Sequence, residues 1–406
     1  MKQRPLLALQ LLSFTLMGGM GAFVNFINLY LEQELGLTGS QIGFITMMSM
    51  GLTIIINPIL GYIGDKTGQH VTMLKIAFFL STCLVYLYSR STTFGVVLLV
   101  AIFFEISRAC IAPFFDLITS DYCARINFDL GKVRVFSSIG FMLTVMTVGF
   151  LIAGMELSWL GIGFDGLVDI RTAVFGAVIL FLSLSFILMF FVPKPEVIKD
   201  KKDEKGRFNR EDVWALLKNR KFRFILVFII LSLVAVESAK SFIGNHLVVG
   251  LGSAENIVSI MTFLMVFPEF ALLPLGSRII RKFGFKKWYI FSISTMILRM
   301  AVYSMTSSVA IFSIIGMVHG IGVTTHVSGN ITYIRRVVKP EVLGLAFTIM
   351  VSVIAISRAI LSFIYGLLYE HFDGFTVFRV ATALLVVGLL WTINSKSLAS
   401  MSPRDI

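Results

Sequence analysis

Apolar runs long enough to cross a bilayer recur twelve times along this chain, near residues 7–31, 39–64, 71–90, 94–122, 132–154, 172–192, 222–249, 256–280, 286–306, 309–334, 341–369 and 375–395. A helix needs about 20 apolar residues to span the hydrocarbon. Inside lipid every backbone N–H and C=O must find a partner within the protein, and for runs of this length the helix provides it. Charged residues make up only 14% of the chain, where a soluble domain carries about a quarter. The fold class expected is an all-α membrane protein with twelve transmembrane helices, and the lipid bilayer is its first partner.

Lysine and arginine in short loops mark the cytoplasmic side. Lys2, Arg4, Lys66, Arg125 and Lys132 fall on one side, with Arg278, Arg281, Lys282, Lys286, Lys287, Arg335, Arg336 and Lys339. The other side is nearly bare, with Arg90 and Arg171. Both termini are expected in the cytoplasm, and an even number of spans agrees with that. The long polar stretch, VPKPEVIKDKKDEKGRFNREDVWALLKNRKF, divides the spans six and six. The expected domains are an N-terminal six-helix bundle at 1–192, a basic cytoplasmic linker at 193–221 and a C-terminal six-helix bundle at 222–406, two parallel halves. FNREDVWALLKN within the linker reads as a short amphipathic helix at the interface. The net charge of +12 is accounted for by these loops, so no nucleic-acid partner is expected. The N-terminal run lacks a small-residue cleavage site and reads as a retained first span. Cys83, Cys110 and Cys123 lack metal or disulfide spacing and read as small core residues. The expected location is the cell inner membrane, multi-pass.

Ionisable residues inside the apolar runs carry the functional signal, because each costs at least ~2.5 kcal/mol at the bilayer centre and needs a partner or a wet cavity. The fourth span holds Glu105, Arg108 and Asp116, and Arg134 opens the fifth. Later spans hold Glu237 and Lys240, Glu269, Arg299, His319 and His326, and Arg358. Glu105 and Arg108 are three apart, as are Glu237 and Lys240, so each pair can close within its own helix. Glu105 and Asp116, eleven apart, fall on one face of an unbroken helix. A Glu237–Arg358 bridge between spans is a further expectation. Such pairs either lock helices together or take part in transport, and spacing leaves both readings open. Pro58, Pro113, Pro268 and Pro274 lie near these charges, where a freed carbonyl can line a cavity.

The sequence GYIGDKTG, with Gly61, Asp65, Lys66 and Gly68, resembles the signature between the second and third spans of the major facilitator superfamily. The resemblance implies a tight turn and a charge lock at a cytoplasmic gate. SRIIRKFG, ending at Gly284, is its degenerate echo in the second half. The stretch NFDLGKVRVFSSIGF, residues 127–141, is similar to the same region of the lactose permease or oligosaccharide:proton symporter branch. That branch grips sugar hydroxyls with an arginine and an acid eighteen positions before it; the matching residues are Arg134 and Asp116. An acceptor-only carboxylate beside a guanidinium fork can orient a vicinal diol. The resemblance also puts an aromatic ring on the sugar at Phe141, matches Phe23 of the first span, and leaves Asn245, His319 and Glu269 to the second half.

Glu269, Arg299 and His319 match the branch's acid, arginine and histidine, and Glu237 with Arg358 its charge pair. Where the branch carries the glutamate that releases the proton, this chain has Gly322. Proton coupling is still expected, with Glu269 as the carrier and Arg299 or His319 as its ionised partner. The resemblance implies a secondary active transporter working by alternating access, taking up a sugar or oligosaccharide with H+. Gly131 to Arg134, with His319 and His326, also resembles the phenylpropionate permease, which carries an aromatic acid. Glu237, Glu269 and Arg299 look like the nucleoside permease, which lacks an acid at the Asp116 position. The Asp116–Arg134 pair thus argues against a nucleoside without separating a sugar from an aromatic acid, and a drug or sugar efflux pump stays open. HExxH and GxSxG are absent, so no enzyme, metal site, cofactor or catalytic residue is expected. A two-half transporter works as a monomer, the expected state.

Overall fold

Pro113 has no backbone N–H, and its ring crowds the carbonyl four residues earlier. In the computed structural model, which describes residues 3–157, 162–192, 210–272, 275–339 and 342–395, the fourth apolar run accordingly breaks at Ala109 and Cys110. It forms α4 (Phe94–Arg108) and α5 (Ile111–Ile126), with Pro113 in the first turn of α5; the two together make one candidate span, Phe94–Ile126, where one was expected near 94–122. The first part of the expected linker, 193–209, and Pro274 lie outside the described residues.

The chain divides into two compact units, Met1–Glu204 with Gly252–Ile260, and Lys205–Leu251 with Met261–Ile406. The first contains α1 (Gln3–Gln33), α2 (Gly39–Thr67), α3 (His70–Arg90), α4, α5, α6 (Leu130–Ala153) and α7 (Ile170–Leu188). Between α6 and α7 runs a short antiparallel pair, β1 (Met155–Leu157) and β2 (Ile162–Phe164). Helix starts are capped by side-chain oxygens: Thr38 with Gln41 at α2, Asp129 at α6 and Asp169 at α7. α1 packs along α6 and α7. Small residues make this approach close, as expected where lipid offers no hydrophobic drive between helices. Gly140 faces the Phe14 carbonyl so closely that a Cβ would overlap it, and at Gly21 a Cβ would stand 2.8 Å from the Phe141 carbonyl oxygen. Thr15 and Ser185 share a 2.7 Å hydrogen bond, and Ser13 meets Ser137. Gly140→Ala is expected to destabilise the protein by about 1–3 kcal/mol through overpacking, measured as a lower unfolding temperature.

The Asp169 cap gives a second expected result. The backbone N–H of Thr172 donates to Asp169 Oδ2 over 3.2 Å, and hydrogen bonding at Thr172 holds the Asp169 carboxyl below its usual range. A group whose folded value is depressed stabilises fully above the unfolded value and loses that contribution as pH falls through the folded one. Asp169→Ala is expected to cost about 1 kcal/mol, while Asp169→Asn keeps the cap and removes its acid sensitivity, both read from unfolding at neutral and acid pH.

The second unit begins with α8 (Arg210–Lys218), at the expected amphipathic segment, with Trp214 exposed and Leu216 buried. Its spans are more broken than the apolar pattern predicts. α9 (Arg220–Ile229) passes through a π turn at Ile230–Val234 into α10 (Ala235–Lys240), and α11 (Ile243–Asn245) into a second at His246–Gly250. α12 (Asn256–Leu272) and α13 (Gly276–Tyr303) follow, α13 being two helices bent at Gly284, where φ is +78°. α14 (Val309–Gly316) and α15 (His319–Thr324) continue through a π turn at Thr325–Asn330 into α16 (Ile331–Val337). α17 (Leu343–His371) and α18 (Gly374–Ile393) are uninterrupted. Tyr303 stacks on Phe312 at 3.6 Å, and Phe378 meets both edge-on. Among the described residues nine helical segments are long and apolar enough to cross a membrane, and Asn256–Glu269 and Val309–Thr324 are shorter apolar helices. Large apolar side chains such as Ile55, Phe79, Leu99 and Ile360 are left exposed, as lipid contact requires.

Candidate functional site

Asp116 lies on α5 and Arg134 on α6, and the turn between those helices is locally encoded. Asn127 ends α5 in the left-handed region, with φ +54°, a conformation asparagine tolerates better than most residues. Two residues on, Asp129 accepts from the Gly131 N–H over 2.8 Å and starts α6. The resulting hairpin puts Arg134 Nη2 3.5 Å from Asp116 Oδ1, with the side chains 62% and 57% exposed. An exposed pair at that distance contributes little stability, so the donor fork and the carboxylate oxygens are free to exchange partners.

The aromatic residues matched by resemblance take different places. Phe141 is half-buried on α6, and its backbone oxygen is what Gly21 approaches. Phe23 is buried against Tyr88 and Phe104, at 6.0 and 5.1 Å between ring centroids. It forms part of an apolar pocket of about 110 Å³ with Met20, Phe104, Ile111, Ala112 and Arg108. Arg108 Nε stands 2.8 Å from Glu105 Oε2, while its Nη1 donates to the Met20 sulfur over 3.0 Å. The sequence marks this pocket only through Phe23 and the i,i+3 pair Glu105 and Arg108. The break at Ala109–Cys110 interrupts the helix between Glu105 and Asp116, so the common face expected for them does not run through.

At the GYIGDKTG motif, Gly68 ends α2 with φ +65°. Gly61 has open space where a Cβ would stand, and the close approach falls instead on Gly64, 2.6 Å from the Phe114 ring. Asp65 Oδ1 lies 3.1 Å from His70 Nε2, and Lys66 reaches over the Tyr62 ring at 5.8 Å. The acid of the expected lock therefore takes His70 as its partner.

In the second unit Lys240 Nζ stands 2.9 Å from Glu237 Oε2. His319 Nε2 lies 3.8 Å from Glu237 and 3.6 Å from Glu269, joining the two acids. Pro268 precedes Glu269 in α12, and Gly320 allows α15 to come close: a Cβ there would be 3.1 Å from the Glu269 nitrogen. The expected Glu237–Arg358 bridge does not form: Lys240 and His319 occupy Glu237, and Arg358 Nε is buried without a hydrogen-bond partner. Arg299 is buried as well, with Nη1 4.0 Å from the Met265 sulfur and no ion pair to Glu269 among the described residues. At Gly322 a Cβ would run into the Met296 terminal methyl, so Met296 fills the space that an acid there needs. Asn245 is buried in α11. His326 receives a 2.8 Å hydrogen bond from Asn330, which in turn accepts from the Tyr289 hydroxyl.

Residues 6–380 match the MFS_1 like family. The chain belongs to that family. It is thus an MFS transporter, a multi-pass membrane protein and not an enzyme. Among relatives, the uncharacterized transporter YwbF of Bacillus subtilis (strain 168) is 22% identical over 92% of this chain and 89% of its own length. The maltose permease of Geobacillus stearothermophilus is 21% identical over 93% of this chain and 91% of its own. The sucrose permease of Escherichia coli is 23% identical over 50% of this chain and 46% of its own. The crystal structure of the nucleoside transporter NupG superposes with a TM-score of 0.79 at 17% identity, covering 98% of this chain and 99% of that one. The D-xylose-proton symporter gives 0.68 at 15%, covering 99% of each. These superpositions establish the fold that MFS proteins share.

Proposed function

We propose that this MFS transporter takes up a sugar or oligosaccharide together with a proton by alternating access. It does so as a monomer in the cell inner membrane, through twelve spans with both termini in the cytoplasm. The observation that carries the reading is the Asp116–Arg134 pair, whose exposed acceptor and donor fork stand 3.5 Å apart, the arrangement that neighbouring hydroxyls bridge. Relatives named maltose and sucrose permease support a sugar. The interrupted helices of the second unit, counted with the nine long ones, support twelve spans. In the second unit the cluster of Glu237, Lys240, His319 and Glu269 supplies the coupling, with Glu269 as proton carrier and His319 as the group it pairs with when ionised. Arg299 adds positive charge to this cluster, and Asn245 and Phe141 contribute to substrate contact. Asp65, Lys66 and the glycines around them form the cytoplasmic gate, with His70 as the partner of Asp65.

A second reading, an aromatic acid, is favoured by the apolar pocket in which Arg108 presents Nη1 to a sulfur. Glu105 already offsets that guanidinium, which weighs against a carboxylate. A thermal-shift screen of purified protein against sugars, aromatic acids and nucleosides, followed by counterflow for the hits, decides between them. Stabilisation by a mono- or disaccharide supports the proposal; stabilisation by aromatic acids or nucleosides with none by sugars overturns it.

A further inference from the structure

Arg220 and Arg223 are three residues apart in the first turn of α9, so their side chains share a face. Beside them α18 ends, and Trp391, Asn394 and Ser395 complete a pocket of about 400 Å³ with Phe224 and Val227. Both arginines are exposed, and neither enters an ion pair among the described residues. The pocket is thus positive at one end and carries hydroxyl and amide groups beside that charge. Its other end is apolar: Val227 lies seven residues beyond Arg220, about 10 Å further along the helix. Trp391 stands at its rim, 45% exposed, and Trp214 of the preceding α8 is 63% exposed. Tryptophans placed this way at the ends of membrane helices sit at the level of lipid headgroups.

We propose that this pocket binds an anionic phospholipid, with the headgroup phosphate on Arg220 and Arg223 and the start of an acyl chain along Phe224, Val227 and Trp391. A guanidinium fork matches phosphate oxygens in pairs, and two of them on one helix face concentrate that match. The apolar wall selects a lipid over a free phosphate, which would leave Val227 and Trp391 without an apolar partner. The site belongs to one unit and does not depend on what the transporter carries.

The test uses the purified full chain, stripped of lipid and offered equal phosphatidylglycerol and phosphatidylethanolamine, with retained lipid counted by native mass spectrometry. Two basic side chains, each favouring an anionic lipid about fivefold, give an expected preference of about 25-fold for phosphatidylglycerol. Arg220→Gln with Arg223→Gln is expected to remove that preference, and Arg220→Lys with Arg223→Lys to keep most of it. Equal retention of the two lipids by the wild-type protein overturns the proposal, as does an unchanged preference in the glutamine variant. Glycerol phosphate and inorganic phosphate form the control arm. Thermal stabilisation by either that equals the effect of phosphatidylglycerol makes the pocket an anion site and overturns the lipid assignment.

Discussion

Asp116→Asn is expected to weaken binding of every sugar that stabilises the wild-type protein, by roughly 10–150-fold. That range corresponds to about 1.5–3 kcal/mol for one hydrogen bond to a charged acceptor. Asparagine has nearly the shape of aspartate, so packing is preserved. What changes is chemistry: one of the two acceptor oxygens becomes an NH2 donor, and the negative charge that complements Arg134 is lost. A neutral amide with one acceptor oxygen holds a pair of hydroxyls beside the guanidinium less strongly than a two-oxygen carboxylate does. Since the side chains are 57% and 62% exposed, the fold tolerates the change, and the loss reads on binding alone. Arg134→Lys keeps the charge and removes the fork, and is expected to weaken the same sugars. Thermal shift or calorimetric titration measures both. Unchanged affinity for all sugars in Asp116→Asn refutes the proposed grip.

Glu269→Gln is expected to abolish accumulation against a gradient while leaving exchange of substrate across the membrane. Gly322 offers no acid, and Met296 occupies the space beside it, so the proposed proton coupling requires another carrier. Glu269 is placed for that task by His319 Nε2 at 3.6 Å, which also stands 3.8 Å from Glu237. Of the two acids, Glu237 already has the Lys240 ammonium at 2.9 Å as its ion-pair partner. Glu269 has no lysine or arginine within ion-pair distance among the described residues, its near partner being His319, and is the acid proposed to gain and lose the proton. Glutamine mimics the protonated state permanently. The variant should therefore bind substrate and carry out counterflow, with active uptake driven by a proton gradient lost. Accumulation at the wild-type level by Glu269→Gln sinks the assignment. The Glu237→Gln variant provides the contrast: it removes the partner of Lys240 and should lower stability first.

Local chemistry made a large part of the first unit readable in advance. Thr38, Asp129 and Asp169 cap their helices because their side chains reach N–H groups two or three residues on. Gly68 and Gly284 end GYIGDKTG and SRIIRKFG, and both take positive φ, at +65° and +78°. The likeness stops at φ: Gly68 has ψ 14° and ends its helix, while Gly284 has ψ 162° and bends one. The i,i+3 pairs Glu105–Arg108 and Glu237–Lys240 follow from spacing along one helix, and they form at 2.8 and 2.9 Å.

The sequence by itself determined where the apolar runs lie, how several of them start, and which charges pair within one helix. Each of these depends on residues within about a turn of one another. Tertiary structure alone decided the partners across helices. Glu237 meets His319 and leaves Arg358 aside, Asp65 takes His70, and Arg299 is buried against the Met265 sulfur. The physical reason is rotation. With 3.6 residues per turn, each residue added by a π turn swings the following side chains by about 100°. The π turn at Ile230–Val234 sits just before Glu237 and Lys240 and sets which way they face. An apolar pattern does not record such insertions, so the residues available for pairing could be named from the sequence while their pairing could not.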